Sequence, residues 1–88
     1  MYRVVFTRQA DKDKPLLKRA GLETRAKALL DVLREDPFTN PPPYEKLSGD
    51  MQGLYSRRIN VHHRLVYAID RETKTVRVLR MWSHYGDN

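Results

Sequence analysis

The hydrophobic period of this chain changes once, and the change falls on a block of prolines. Leu22, Ala26, Leu29, Leu30 and Leu33 recur at i, i+4, i+7, i+8 and i+11, one continuous helical stripe that stops at Asp36-Pro37. The next stretch, "PFTNPPPYEKLSGDMQG", holds four of the five prolines and two of the four glycines. It is too Pro-rich for a regular element and too short for a domain linker, so it reads as a stiff, partly polyproline-like loop. Beyond it the period drops to two. "LYSRRIN", "HRLVYAID" and "TVRVLRMWSHY" read as strands, and the "VHH" and "RETK" connections between them suit antiparallel hairpins.

Ahead of the stripe, "YRVVFT" is β-branched and aromatic and reads as a first strand. A charged segment with an apolar edge at Leu16, Leu17 and Ala20 follows, and Gly21 stands where a helix C-cap would. Pro15 disfavours helical geometry at Lys14, so this helix is expected either to kink there or to begin near Asp13. The order is β-α-α-β-β-β. The expected fold is α+β, with two N-terminal helices packed on a twisted antiparallel sheet.

Eighty-eight residues make a single domain, 1–88, near the size at which one core just suffices. With no cysteine, neither a disulfide nor a thiolate metal site can supplement that core. No apolar run approaches the roughly 20 residues of a membrane span. "MYRVVFTRQA" lacks the apolar stretch and cleavage site of a signal peptide, so a cytoplasmic location is expected. Seventeen Lys and Arg against eleven Asp and Glu give a formal charge of +6. The excess is spread over both halves of the chain, so the partner it suits, a polyanion such as nucleic acid, must meet the fold itself rather than a tail.

Several familiar constellations are missing. The four glycines are scattered rather than gathered into a phosphate loop. His62, His63 and His84 lack a metal-ligand spacing, and no Ser stands in a nucleophile-elbow context. What remains is Glu45, Lys46, Arg57, Arg58, Arg64, His84 and Tyr85. One carboxylate, one imidazole and several guanidiniums are what metal-free RNA cleavage requires. A base takes the 2′-OH proton, cations stabilise the phosphorane, and an acid protonates the leaving 5′-oxygen. No cofactor and no metal are expected.

The run "PFTNPPPYEKLSGDMQGLYSRRINVHHRLVY" followed by "VLRMWSHY" closely resembles the Txe/YoeB toxins of the RelE superfamily. The likeness extends from "VVFTRQA" through "ALLDVLREDPF" to "SHY" and is most specific in "YEKLSG", "YSRRI…HRLVY" and the terminal His-Tyr. The resemblance implies a microbial-ribonuclease-like fold and an mRNA endonuclease that works in the ribosomal A site. It also implies a cognate YefM/Axe-type antitoxin, operator DNA bound only through the antitoxin complex, no membrane partner, and a homodimer when free. By position in the motifs, the general base falls on Glu45, the phosphate-binding arginine on Arg64 and the general acid on His84. Tyr85 is the terminal aromatic, which either stacks on a base or orients the phosphate. Arg58 and Lys46 are expected at the RNA backbone. This chain departs from the pattern in continuing with Gly86-Asp87-Asn88, and in carrying Ser48 where some relatives have Lys.

Other residues have plainer expectations. Arg57 and Arg58 are adjacent on a strand and must face opposite ways, so Arg57 is expected to be solvated or ion-paired. Trp82 is expected at the edge of a core, and His62 and His63 in a turn. Two other functions fit the charge: a ParE-like gyrase poison, which lacks the Glu…Arg…His-Tyr set, and a basic module that binds nucleic acid without cutting it.

Overall fold

The computed structural model describes residues 1–83; the candidate residues His84 and Tyr85 and the extension Gly86-Asp87-Asn88 lie outside them. Strand β1 (Arg3–Phe6) leads directly into helix α1 (Arg8–Arg19). Thr7 makes the junction. Its hydroxyl accepts the N–H of Ala10 at 3.2 Å as the helix cap and donates to the carbonyl of Leu79 at 2.9 Å. With that cap, α1 begins at Arg8 rather than near Asp13 and runs through Pro15. Burial of Ala10 and Leu17 on one face offsets the missing proline donor.

Gly21, at φ +73, ends α1. Its N–H bonds the carbonyl of Lys18 at 3.1 Å, and that of Leu22 bonds Leu17 at 2.9 Å, the paired closure of a Schellman motif. Buried Leu17 and Leu22 supply the apolar contact that usually accompanies it. Helix α2 (Glu23–Glu35) then buries Ala26, Leu30 and Leu33 of the expected stripe. It stops at Asp36, whose carboxylate takes the N–H of Phe38 at 2.9 Å and turns the chain into the proline segment. Within that segment the Asn40–Pro41 and Pro41–Pro42 bonds are cis.

Four strands follow: β2 (Glu45–Lys46), β3 (Leu54–Arg58), β4 (Arg64–Asp70) and β5 (Thr75–Ser83). The five-stranded sheet has the order β1-β5-β4-β3-β2. The α+β arrangement is the expected one, with two differences of detail. A two-residue strand, β2, forms on the edge at Glu45, and β1 pairs parallel to β5, so the sheet is mixed. Parallel neighbours need a long crossover, and here the helices and the whole β2–β4 meander supply it.

The two helices cover one face of the sheet. Ala10, Leu17, Leu22, Ala26, Leu30 and Leu33 meet Ile59, Leu65, Tyr67, Val76, Val78 and Met81 in one buried cluster, with Trp82 packed at its margin. Full burial of a leucine such as Leu33 contributes about 2 kcal/mol. Neighbouring residues on each strand point the other way, toward the face without helices. Among the described residues, no helix is long and apolar enough to cross a membrane.

Candidate active site

The face without helices carries the candidate residues because of register. Glu45 on β2 lies opposite Ser56 on β3, and Ser56 lies opposite Val66 on β4. Arg58, two residues from Ser56, pairs with Arg64, two residues from Val66. Side chains alternate along strands, so Glu45, Ser56, Arg58 and Arg64 all project from one face. With Pro43 and Tyr44 they line a cleft of about 300 Å³. A larger recess of about 370 Å³ between α1, α2 and Met81 has an apolar floor and none of the sequence-predicted site residues.

Arg64 is the hub of the cleft. Its Nη1 donates to Glu45 Oε1 at 3.0 Å and to Ser56 Oγ at 3.2 Å. The Arg64 side chain is only 17% exposed, whereas that of Glu45 is 62% exposed. Such a half-open pair contributes about 0–1 kcal/mol, so an incoming phosphate can displace the carboxylate at little cost. Arg58 is exposed at the rim, and among the described residues it forms no ion pair. Lys46 projects to the opposite face of the edge strand, across from Tyr55, and does not line the cleft.

Arg57 is neither solvated nor ion-paired: it is 1% exposed. Its Nε donates to the Tyr67 hydroxyl at 2.9 Å, and its Nη2 to the carbonyls of Pro37 at 2.8 Å and Thr39 at 2.9 Å. Nη1 donates to the carbonyl of Pro42. Burial raises the pKa of Tyr67 against the opposing pull of Arg57, which keeps the phenol neutral. One guanidinium therefore pins the proline segment to β3 and β4, three residues ahead of Glu45. Alternation placed Arg57 on the other face but gave no hint that loop carbonyls await it there.

Asp13 was also missed. The carboxylate is 1% exposed, and Oδ2 accepts the N–H groups of Met81 at 2.8 Å and Trp82 at 3.1 Å and the Nε of Arg80 at 3.1 Å. Gln9 donates to Oδ1 at 3.2 Å. These strand N–H groups lie beyond the end of β1, which pairs with β5 only over Thr75–Val78, and the helix carboxylate takes the place of the absent strand. Burial alone would raise the Asp13 pKa; the bonds from Met81, Arg80 and Gln9 outweigh it and hold the carboxyl below its ordinary value. The signal was present in the spacing: Ala10, Asp13 and Leu17 share one face of α1.

The end of β5 is close to the cleft, since Ser83 pairs with Arg64 across the sheet. His62 is exposed in the β3–β4 turn, while His63 is buried and stacks on Trp82 with ring centroids 3.7 Å apart. No group of three His, Cys, Asp or Glu among the described residues is placed to hold a metal ion.

Comparison with known proteins bears on the family and the fold. Residues 5–85 match the family described as the YoeB-like toxin of bacterial type II toxin-antitoxin systems. The toxin YoeB of Synechocystis sp. is 44% identical over 57 residues, covering 65% of this chain and 59% of that protein. Among solved structures, a YoeB/ParE toxin from Agrobacterium tumefaciens superposes with a TM-score of 0.84 at 29% identity, covering 94% of this chain and 99% of that one. The heterotetrameric YoeB-YefM toxin-antitoxin complex from Staphylococcus aureus gives 0.78 at 27% identity, covering 97% and 99%. The chain belongs to the YoeB-like toxins of bacterial type II toxin-antitoxin systems.

Proposed function

We propose that this chain is a ribosome-dependent endoribonuclease that cuts mRNA in the ribosomal A site and so stops translation. The observation that carries the reading is the joining of Glu45, Arg58 and Arg64 in one cleft on the open sheet face. Glu45 accepts the proton of a ribose 2′-OH, and the 2′-oxygen attacks the adjacent phosphorus. Arg64 and Arg58 stabilise the charge that builds on the phosphorane oxygens. His84 follows Ser83, the cross-strand partner of Arg64, and protonates the 5′-oxygen as the P–O5′ bond breaks. Tyr85 stacks on a base or orients the phosphate, and Lys46, which faces away from the cleft, is given no part in the reaction. The products are a 2′,3′-cyclic phosphate and a 5′-hydroxyl.

A YefM-type antitoxin is the proposed inhibitor, as in the Staphylococcus aureus complex. Acidic side chains on that partner would be steered by the +6 charge and compete with RNA for the same arginines.

Glu45→Gln should slow single-turnover cleavage about 10²-fold, the lower end of what general base catalysis contributes. Stability should change by no more than about 0.5 kcal/mol, because the side chain is mostly exposed. Near-normal cleavage by a folded Glu45→Gln protein would remove Glu45 as the base. Products with 3′-hydroxyl ends would remove the 2′-OH attack altogether.

A further inference from the structure

Resting on the ribonuclease reading of the cleft, we propose that Ser56 is a positioning residue that keeps the Arg64 guanidinium in place while Glu45 exchanges partners. Ser56 is fully buried in the middle of β3, between Glu45 on one neighbouring strand and Val66 on the other. A buried strand interior favours a β-branched or aromatic residue, and a buried hydroxyl is costly unless it is hydrogen-bonded. Here the hydroxyl oxygen accepts from Arg64 Nη1 at 3.2 Å, the same nitrogen that reaches Glu45 at 3.0 Å.

Those two acceptors have different fates during reaction. Glu45 weakens its hold on Arg64 as it takes the 2′-OH proton, because the protonated carboxyl no longer attracts the guanidinium as an anion does. Arg58, the cross-strand partner of Arg64, repels it at that moment. A free arginine side chain regains the rotamer freedom of its long flexible stem by leaving. The Ser56 hydroxyl carries no charge to lose, and its backbone is fixed because β3 is paired on both sides at this residue. It therefore holds Nη1 through the exchange and presents the rest of the guanidinium to the phosphate. A positioning error of about 1 Å at a reacting centre costs up to ~10²-fold in rate, so a modest hydrogen bond has a large effect.

The test compares Ser56→Ala with Ser56→Thr, which restores the hydroxyl. Two quantities are measured: steady-state cleavage of mRNA on ribosomes, and the NMR signals of the Arg64 guanidinium in a Glu45→Ala background, where Ser56 is the acceptor left on Nη1. In Ser56→Ala, kcat is expected to fall about tenfold with KM changed less than twofold, and the slow rotation that separates the Arg64 Nη signals is expected to be lost. Ser56→Thr should recover both. Should Ser56→Ala melt below the assay temperature, Ser56→Cys replaces it, with similar size and a weaker acceptor. Unchanged kcat and unchanged Arg64 signals in Ser56→Ala would overturn the proposal, as would a loss of kcat that Ser56→Thr does not recover. If the wild-type protein itself leaves mRNA intact, it is the ribonuclease reading that fails. The Arg64 signals then still decide whether Ser56 holds the guanidinium.

Discussion

Arg57→Ala should destabilise the domain by about 3–5 kcal/mol, the cost of several buried acceptors left unsatisfied and a large share of the ~5–15 kcal/mol typical of a whole domain. The substitution removes one donor group and strands four acceptors: the carbonyls of Pro37, Thr39 and Pro42 and the hydroxyl of Tyr67. It also leaves a void beneath the Tyr44 ring, which now sits 5.0 Å from the guanidinium carbon. Lysine is no substitute, since one ammonium cannot reproduce the planar fork that reaches four acceptors at once. The neighbouring Arg58→Ala is the control. That residue is exposed, so its loss should change stability by no more than about 0.5 kcal/mol while weakening RNA binding. Thermal or urea unfolding of both proteins reads the difference directly. Equal stability of the two would mean that the proline segment does not depend on Arg57. The consequence reaches function, because that segment delivers Glu45 to the sheet edge.

Asp13→Ala should lower stability by about 3 kcal/mol, which for a domain of this size moves the melting temperature by ~12–24 °C. Two strand N–H groups and one guanidinium lose their acceptor together, where Met81 joins the buried cluster and Trp82 packs at its margin. The acid sensitivity has a definite sign. The folded-state pKa of Asp13 lies below its ordinary 3.8, so its ionised form stabilises the fold at every pH above that value. The contribution fades as the pH falls below about 4 and through the lowered folded-state value. Asp13→Asn should therefore be less stable than wild type at neutral pH but lose less stability between pH 4 and pH 2. Parallel stability–pH curves for the two proteins would contradict the role assigned to this carboxylate.

How much of this was legible in the sequence depends on the range of the interaction. The Leu22–Leu33 stripe and the Gly21 stop are local patterns, and both appear where the spacing put them. The gathering of Glu45, Arg58 and Arg64 followed once the motif order was read as a family resemblance, because the register that joins them spans three strands. The parallel pairing of β1 with β5 left no local trace, since alternation looks the same in either direction. Arg57 was misjudged for a similar reason: its acceptors lie 15 to 20 residues upstream, in a loop whose carbonyls carry no side-chain signature. Asp13 is the different case. An acidic residue between Ala10 and Leu17 on the buried face of a helix marks a required partner, and that inference needed no structure.

Under the proposed function, the Glu45–Arg64 cleft cuts mRNA on the ribosome. The most direct measurement adds the purified protein to a translating ribosome system and maps mRNA ends, with Glu45→Gln in parallel. The expected result is cleavage within the A-site codon, leaving 2′,3′-cyclic phosphate ends, about 10²-fold slower with Glu45→Gln. Intact mRNA with the protein in excess over ribosomes would contradict it, whether the true target proved to be gyrase or a nucleic acid bound without being cut.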